Sequence, residues 1–344
     1  MRKIHFIFSL VLVLCVVKSN LHAQNDWNLI SSLPQNLVIT SDEVSYKFEN
    51  NVTGPHHVEC LVKKSDNYCQ SYETVFEWFD NTYSPSIREM FFIDSEIGFF
   101  SWGMEYLGVK KTIDGGDSFE LVGFSPTYAS RMCSFDGELL FHTDGWVYNT
   151  YKMSYFKING NVVYSTGRYI WGTKTMSSSE KPVAELEFIS NSIGFVTCID
   201  SLGFAYILKT IDTGYNWIET AVVQNQRFSD IKFIVDSIGL VIGKEGMVLR
   251  TNDCGETWNE ISLGTDMILT SLDMNENGFG VIVGYGGTVF LTNDYGETWE
   301  ADDFFSSSIN FRYAKVTQSN TLFVHTTEGD LYCNHHILNN TDVD

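Results

Sequence analysis

Val248-Leu-Arg-Thr-Asn-Asp-Cys-Gly-Glu-Thr-Trp-Asn-Glu260 returns almost letter for letter as Val289-Phe-Leu-Thr-Asn-Asp-Tyr-Gly-Glu-Thr-Trp-Glu300. The central aspartates, Asp253 and Asp294, stand 41 residues apart. A looser copy, Thr210-Ile-Asp-Thr-Gly-Tyr-Asn-Trp217, sets Asp212 a further 41 residues upstream. A fourth, Thr112-Ile-Asp-Gly-Gly-Asp-Ser-Phe119, sets Asp114 another 98 residues back, room for two longer units. Self-similarity at such a period marks stacked supersecondary units, none of which can bury its apolar face alone.

Each unit carries four short apolar runs. In one, Phe233-Ile-Val-Asp-Ser-Ile-Gly239 ends a first run in a turn, and Leu240-Val-Ile-Gly243 is the second. Gly246 opens the third, and Thr257-Trp-Asn-Glu-Ile261 follows the Asp-containing turn as the fourth. Four β-rich runs per ~40 residues, separated by Gly, Asp and Asn, make a four-stranded blade. No helical periodicity is sustained in the chain. Phe92-Ile-Asp-Ser-Glu-Ile-Gly-Phe99, Phe188-Ile-Ser-Asn-Ser-Ile-Gly-Phe195 and Leu272-Asp-Met-Asn-Glu-Asn-Gly-Phe279 repeat the first hairpin. The expectation is an all-β, seven-bladed β-propeller with blades at 36–80, 85–122, 126–160, 183–220, 226–263, 267–303 and 309–337. The last unit has only three runs, and Trp27-Asn-Leu-Ile30 resembles the outer run Trp258-Asn-Glu-Ile261. The N-terminal strand should therefore complete the last blade and close the ring, removing exposed sheet edges. Residues 161–182 read as an insertion loop and 338–344 as a tail within a single 24–337 domain.

Arg2 and Lys3, an apolar run from Ile4 to Val17, and Leu21-His22-Ala23 have the layout of a secretory signal cut near Ala23. The run is short for a membrane span, which needs roughly 20 apolar residues. The expected location is secreted, periplasmic or at the cell surface. Losing residues 1–23 takes the formal charge from −21 to −24. That argues against nucleic acid or an anionic membrane as partner, since both reward Lys and Arg. Six cysteines remain (Cys60, Cys69, Cys133, Cys198, Cys254 and Cys333), with no CxxC spacing for zinc. Export permits disulfides, and Cys60 with Cys69 is the nearest pair. His56-His57 and His335-His336 fall in blades that closure makes neighbours, but tandem residues point to opposite faces of a strand. No metal or cofactor is expected.

The pattern Ser/Thr-x-Asp-x-Gly-x-Thr-Trp/Phe is that of the Asp-box, or BNR repeat. The fuller unit from Ile231 to Glu260 resembles the photosystem II stability/assembly-factor type of propeller repeat over most of residues 85–303. Sialidase-like and sortilin-like propellers share the box but less of the unit. The resemblance implies a propeller, and it is weak on function. In the box, Asp accepts bonds from turn N–H groups and Gly supplies backbone freedom. The aromatic ring then buries, worth ~2–3 kcal/mol. Asp114, Asp212, Asp253 and Asp294, with Trp217, Trp258 and Trp299, are thus expected to be structural. A calcium role is disfavoured, because each box offers one aligned acid and calcium wants six or more oxygens.

Function should lie on the other face, where the loops between second and third strands meet the blade connections. Trp102, Tyr106, Trp146 and Tyr285 belong to those loops. Arg88, Arg131 and Arg312 each stand four residues before the reference positions Phe92, Phe135 and Val316 of an innermost run, and Arg227 enters a fourth run slightly earlier. Convergent guanidinium groups recognise carboxylate or phosphate bidentately. The expected function is an exported, non-catalytic scaffold that binds a protein partner, with a glycan or anionic ligand at the channel mouth as the alternative. Sialidases clamp a carboxylate with three arginines, but Phe311-Arg-Tyr-Ala314 lacks the Ile-Pro of their Phe/Tyr-Arg-Ile-Pro motif and sits at the wrong end of the chain. No Gly-x-Ser-x-Gly supports a serine hydrolase.

Overall fold

The structure is a computed structural model that describes residues 27–335 apart from 33–36, 42, 55–56, 68, 81–85, 93–94, 104–106, 126–127, 136–137, 148–149, 160–161, 166–184, 191, 200–201, 213–216 and 236. Among the described residues the strands form seven four-stranded antiparallel sheets. Six take their four strands in chain order, with outer limits Leu37–Asp80, Ser86–Ser125, Tyr128–Ser165, Glu185–Gln224, Phe228–Glu260 and Leu269–Ala301 (blades 1 to 6). Blade 7 joins Phe311–Val316, Thr321–Thr326 and Asp330–His335 to the N-terminal strand Asn28–Ser32, which pairs Asn28 with Cys333 and Ser32 with Asp330. Buried side chains of blades 1 and 2, 4 and 5, 5 and 6, 6 and 7, and 7 and 1 pack together. The innermost strands of blades 2, 3 and 4 lie against one another in turn. The result is a closed β-propeller. The expected signal segment 1–23 and the expected tail 338–344 lie outside the described residues.

The blade pattern follows from burial. A second strand is covered by blades on both sides, so it is apolar throughout: Leu240, Val241 and Ile242 are fully buried, as are Val281, Ile282 and Val283. The repeated aromatic-x5-Gly pattern also has a cause. Phe233 pairs with Gly239 across the first hairpin, and a Cβ on Gly239 would lie 2.6 Å from the Phe233 ring. Gly98 with Phe92 and Gly194 with Phe188 repeat the arrangement.

Asp turns hold the outer halves of blades 2, 4, 5 and 6. In blade 5, Thr251 Oγ1 donates to Asp253 Oδ1 (2.7 Å) and accepts from Gly255 N (2.9 Å). Thr257 donates its N–H to Oδ1 (2.9 Å) and its hydroxyl to Oδ2 (2.5 Å). Thr112, Asp114 and Ser118 repeat the set in blade 2, and Thr292, Asp294 and Thr298 in blade 6. Thr210 Oγ1 donates to Asp212 in the same way. Every described bond at these carboxylates comes from its own turn, which is a fastener's arrangement. The aromatic residues close over it: Trp258 packs edge-on against Phe233 and Phe195 and donates to Thr220 Oγ1, while Trp299 donates to Gly296 O. Trp217 meets Phe188 edge-on.

These bonds set an acid limit. The Thr257 hydroxyl and N–H hold the Asp253 carboxyl down at about 2, and Ser118 does the same for Asp114. A carboxylate depressed by folding adds stability above its unfolded value near 4 and loses it as pH falls toward 2. Thermal unfolding followed between pH 4.5 and 2.5 should therefore show a falling Tm, and Asp253→Asn should make the fall shallower. An equally steep fall in that variant would count against the turn as its source.

Two expectations need correction. Cys60 and Cys69 are buried thiols that do not bond to each other; Cys69 Sγ lies 3.1 Å from Ser45 Oγ instead. They stand in different parts of blade 1, Cys60 opposite Trp78 in a strand and Cys69 in the turn after Ser65. The expected insertion at 161–182 begins too early, because Val162–Ser165 is the fourth strand of blade 3, paired with Phe156–Asn159.

Candidate partner-binding face

Antiparallel blades put the Asp turns and first hairpins on one face, and the second-to-third-strand turns and blade connections on the other. The second face is built by a repeated backbone scheme. The N–H of Lys244 donates to Arg227 O, that of Gly246 to Met267 O, that of Tyr285 to Ile268 O and that of Gly287 to Ile309 O. Each turn is thereby tied to the connection entering its own blade or leaving for the next.

The innermost strands start in register at this mouth. Near the start of the inner strands of blades 2, 5, 6 and 7, the buried residues Ile87, Phe228, Leu269 and Phe311 are each followed by a bulged residue that pairs with nothing opposite. That bulge falls at Arg88, Ser229, Thr270 and Arg312, so Arg88 and Arg312 do share one register place. Arg131 does not. The bulge of blade 3 falls at Ser130, and Arg131 pairs with His142, one place deeper. The offset counted from Phe135 misleads because the hairpin there is short: Phe135 pairs with Glu138, whereas Phe92 pairs with Gly98. Arg227 stands one residue before its strand, nearer the mouth.

Of the expected site residues, the side chains of Arg88, Arg131, Trp102 and Trp146, and the whole of Tyr106, lie outside the described residues. Arg227 and Arg312 are exposed. Between their blades, blade 6 shows Met267 (40% exposed), Ile268 (36%) and Tyr285 (41%). Bulky apolar groups exposed side by side, and bracketed by guanidinium groups, are the composition of a recognition surface.

Below the mouth lies a constellation that no local sequence motif marks. The residues just before Phe188, Phe233, Met274 and Val316 on the inner strands are Glu187 in blade 4, Lys232 in blade 5, Asp273 in blade 6 and Lys315 in blade 7. Charge alternates across four consecutive blades. Lys315 Nζ lies 2.8 Å from Asp273 Oδ2, and Lys232 Nζ lies 3.7 Å from Asp273 Oδ1. The carboxylates also satisfy inner-strand N–H groups of the next blade: Leu272 N donates to Asp230 Oδ2 (2.9 Å) and Val316 N to Asp273 Oδ2 (2.8 Å). Counting residues from Phe188, Phe233, Met274 and Val316 would have revealed the series. Tyr313, beside it, is a poor nucleophile, since burial and Asp273 push its phenol well above the ordinary value. Among the described residues no group of three or more His, Cys, Asp or Glu is placed to hold a metal, and no helix is long and apolar enough to cross a membrane.

A second cationic series ties the blades from outside the channel. Lys209 of blade 4 donates to Cys254 O and Glu256 Oε1 in the Asp turn of blade 5, both at 2.6 Å. Arg250 of blade 5 reaches Tyr295 O (3.0 Å) and Glu297 (3.4 Å) in the turn of blade 6. Lys64 of blade 1 approaches Asp117 in the turn of blade 2 at 4.0 Å.

Residues 165–268 match the family model of the photosynthesis system II assembly factor YCF48. A solved structure of YCF48 bound to D1 peptide is similar at TM-score 0.64 and 14% identity, with 90% of this chain and 97% of that one covered. YCF48 from Cyanidioschyzon merolae gives 0.60 and 15%, covering 90% and 98%. The WD40 propeller domain of Doa1 gives 0.58 and 10%, covering 90% and 96%. No curated protein sequence matches the chain. The structural likenesses establish a β-propeller, and the family match makes it assembly-factor-like in its repeat.

Proposed function

We propose that this chain is a non-catalytic propeller scaffold that binds a protein partner at the channel mouth opposite the Asp turns. The observation carrying this reading is the juxtaposition of exposed Arg227 and Arg312 with Met267, Ile268 and Tyr285, in a chain of formal charge −21. Two of its few arginines stand at one mouth, so the partner segment should pair apolar side chains with carboxylates. The likeness to a YCF48 structure that holds a peptide supports a protein partner. The signal-like residues 1–23 favour work outside the cytoplasm, in assembly or at a cell surface.

A photocrosslinking phenylalanine analogue at Tyr285 should capture one partner in the exporting cell. Arg227→Glu/Arg312→Glu should weaken that partner's binding at least tenfold with Tm unchanged, since reversed charges at an interface rim act on association more than on folding. Undiminished binding by the double variant would overturn the assignment of this face. Turnover of a fluorogenic sialoside, lost on Arg312→Ala, would overturn the non-catalytic reading.

A further inference from the structure

We propose that blade 1 carries a strand-addition site at the mouth, where an extended segment of a protein partner pairs with the open inner edge at residues 50–52. The site goes beyond the assignment of Arg227 and Arg312, since it lies on another blade and needs neither guanidinium group. In blades 2, 5, 6 and 7 the inner strand runs level with the mouth end of the second: Ser86 pairs with Gly103, Phe228 with Gly243, Leu269 with Gly284 and Phe311 with Thr326. In blade 1 the inner strand Leu37–Ile39 begins opposite Lys47, while the second strand runs on to Gly54. The third and fourth strands follow it upward, Val52 pairing with Val58 and Val58 with Asp80. Among the described residues no strand pairs the inner edge of this raised sheet. The chain cannot supply one in the same register. Pro34 would fall opposite Asn50 with no N–H to give, and Ser32, opposite Val52, is already paired with Asp330 of blade 7.

The edge is oriented and held for pairing. Thr40 N donates to Val44 O, and bonded positions recur every second residue along an antiparallel pair. Asn50 and Val52 therefore turn their N–H and C=O groups to the open side. The Asn50 side chain fixes the edge against blade 2, donating to Ile87 O (2.9 Å) and accepting from Ile87 N (2.8 Å). Asn51 Nδ2 donates to Glu59 Oε2 (2.9 Å) across the hairpin. An unpaired edge is a template for another strand, and a preformed one loses little freedom on pairing.

The two sides of the edge state what the added strand should carry. Phe48 and Val58 point toward blade 2, buried in a core with Ile87, and Val52 continues that side at 76% exposure. The other side carries Lys47, Glu49 and Lys63, joined in ion pairs of 3.1 and 2.7 Å, beside the Asn51–Glu59 bond. Its charges are already matched, so it asks for none. Successive residues of a strand point to opposite sides. The partner segment should thus alternate apolar side chains, set against Val52, with uncharged polar ones. Donors and acceptors at main-chain spacing select a polypeptide rather than a glycan.

The test selects a displayed library of random peptides of about ten residues on the whole chain. Val52→Pro removes an edge donor and spares the ladder to the third strand, because that N–H points away from it. Selected peptides should bind this variant about tenfold more weakly than the native chain, the loss of one main-chain bond in a blocked edge. Val52→Thr keeps the N–H and should bind them nearly as the native chain does. On binding, amide exchange at Asn50 and Val52 should slow. A library that yields no binder, or binders indifferent to Val52→Pro, would overturn the site. Binders kept by Val52→Pro but lost in Arg227→Glu/Arg312→Glu would overturn it too, while leaving the arginine face standing. Should Val52→Pro lower Tm, amide exchange in the native chain decides: protection of Asn50 and Val52 by bound peptide supports the site, and unchanged exchange refutes it.

Discussion

Phe195→Ala should lower stability by about 3–5 kcal/mol, the cost of removing a fully enclosed aromatic ring and leaving a cavity that rigid neighbours cannot fill. Phe195 is 0% exposed and stacks on Phe233 at 4.2 Å, one ring from blade 4 and one from blade 5. It also supports the Asp turn of blade 5. Gly255 has φ +72, and a Cβ there would lie 2.3 Å from the Phe195 ring. Lys209, which bonds that turn, passes 5.7 Å from the same ring centroid. One truncation therefore empties the blade junction and removes the floor beneath the turn. Phe195→Leu, which keeps most of the volume, should cost less than half as much. Urea unfolding measures both. A loss below about 1 kcal/mol in the alanine variant would mean that blades 4 and 5 adhere without this ring, against the packing described above.

The repeat made the frame readable because each unit solves one packing problem the same way. Aromatic-x5-Gly marks a ring lying on a bare backbone, as Phe233 lies on Gly239, and Thr-x-Asp-x-Gly marks a turn closed by its own carboxylate. Such local devices leave a local trace. What was not legible depends on how one blade meets the next. Lys209 precedes Thr210 and Arg250 precedes Thr251, yet nothing near them in sequence says that each reaches the turn of the following blade. Leu291 precedes Thr292 at the same place, and blade 7 beyond it has no Asp turn to reach. The channel charges Glu187, Lys232, Asp273 and Lys315 escaped notice for a similar reason: each is an ordinary polar residue until four inner strands are laid side by side. Arg131 shows the converse, since a count from Phe135 assumed a hairpin length that blade 3 does not have. At the mouth, the repeat register is enough to place Arg227, Arg312 and Tyr285 on this face, whereas the exposure of Met267 and Ile268 has no counterpart in the pattern.

Trp27→Ala should cost a further class of stability, about 3–5 kcal/mol, because it acts on the ring's closure as well as on a core. The Trp27 side chain is 6% exposed and packs 5.2 Å from Phe305, in the core shared by blades 6 and 7. Its indole N–H donates to Asp302 Oδ2 at 3.0 Å, and Asp302 is itself buried in the connection between those blades. Truncation removes the ring and leaves a buried carboxylate with Phe304 N as its other described donor. Trp27→Phe separates the two effects: it keeps most of the apolar contact and loses the bond, so about 1–2 kcal/mol is expected. The residue also anchors Asn28–Ser32, the strand that completes blade 7. Once the anchor is gone, that strand can leave the edge of Asp330–His335 while blades 1 to 6 stay folded. Limited proteolysis should then cut the Trp27→Ala chain near residues 32–37 well before global unfolding, and the native chain only with it. Equal cutting rates at matched stability would show that the N-terminal strand is held by its ladder alone, and that the tryptophan does not latch the ring.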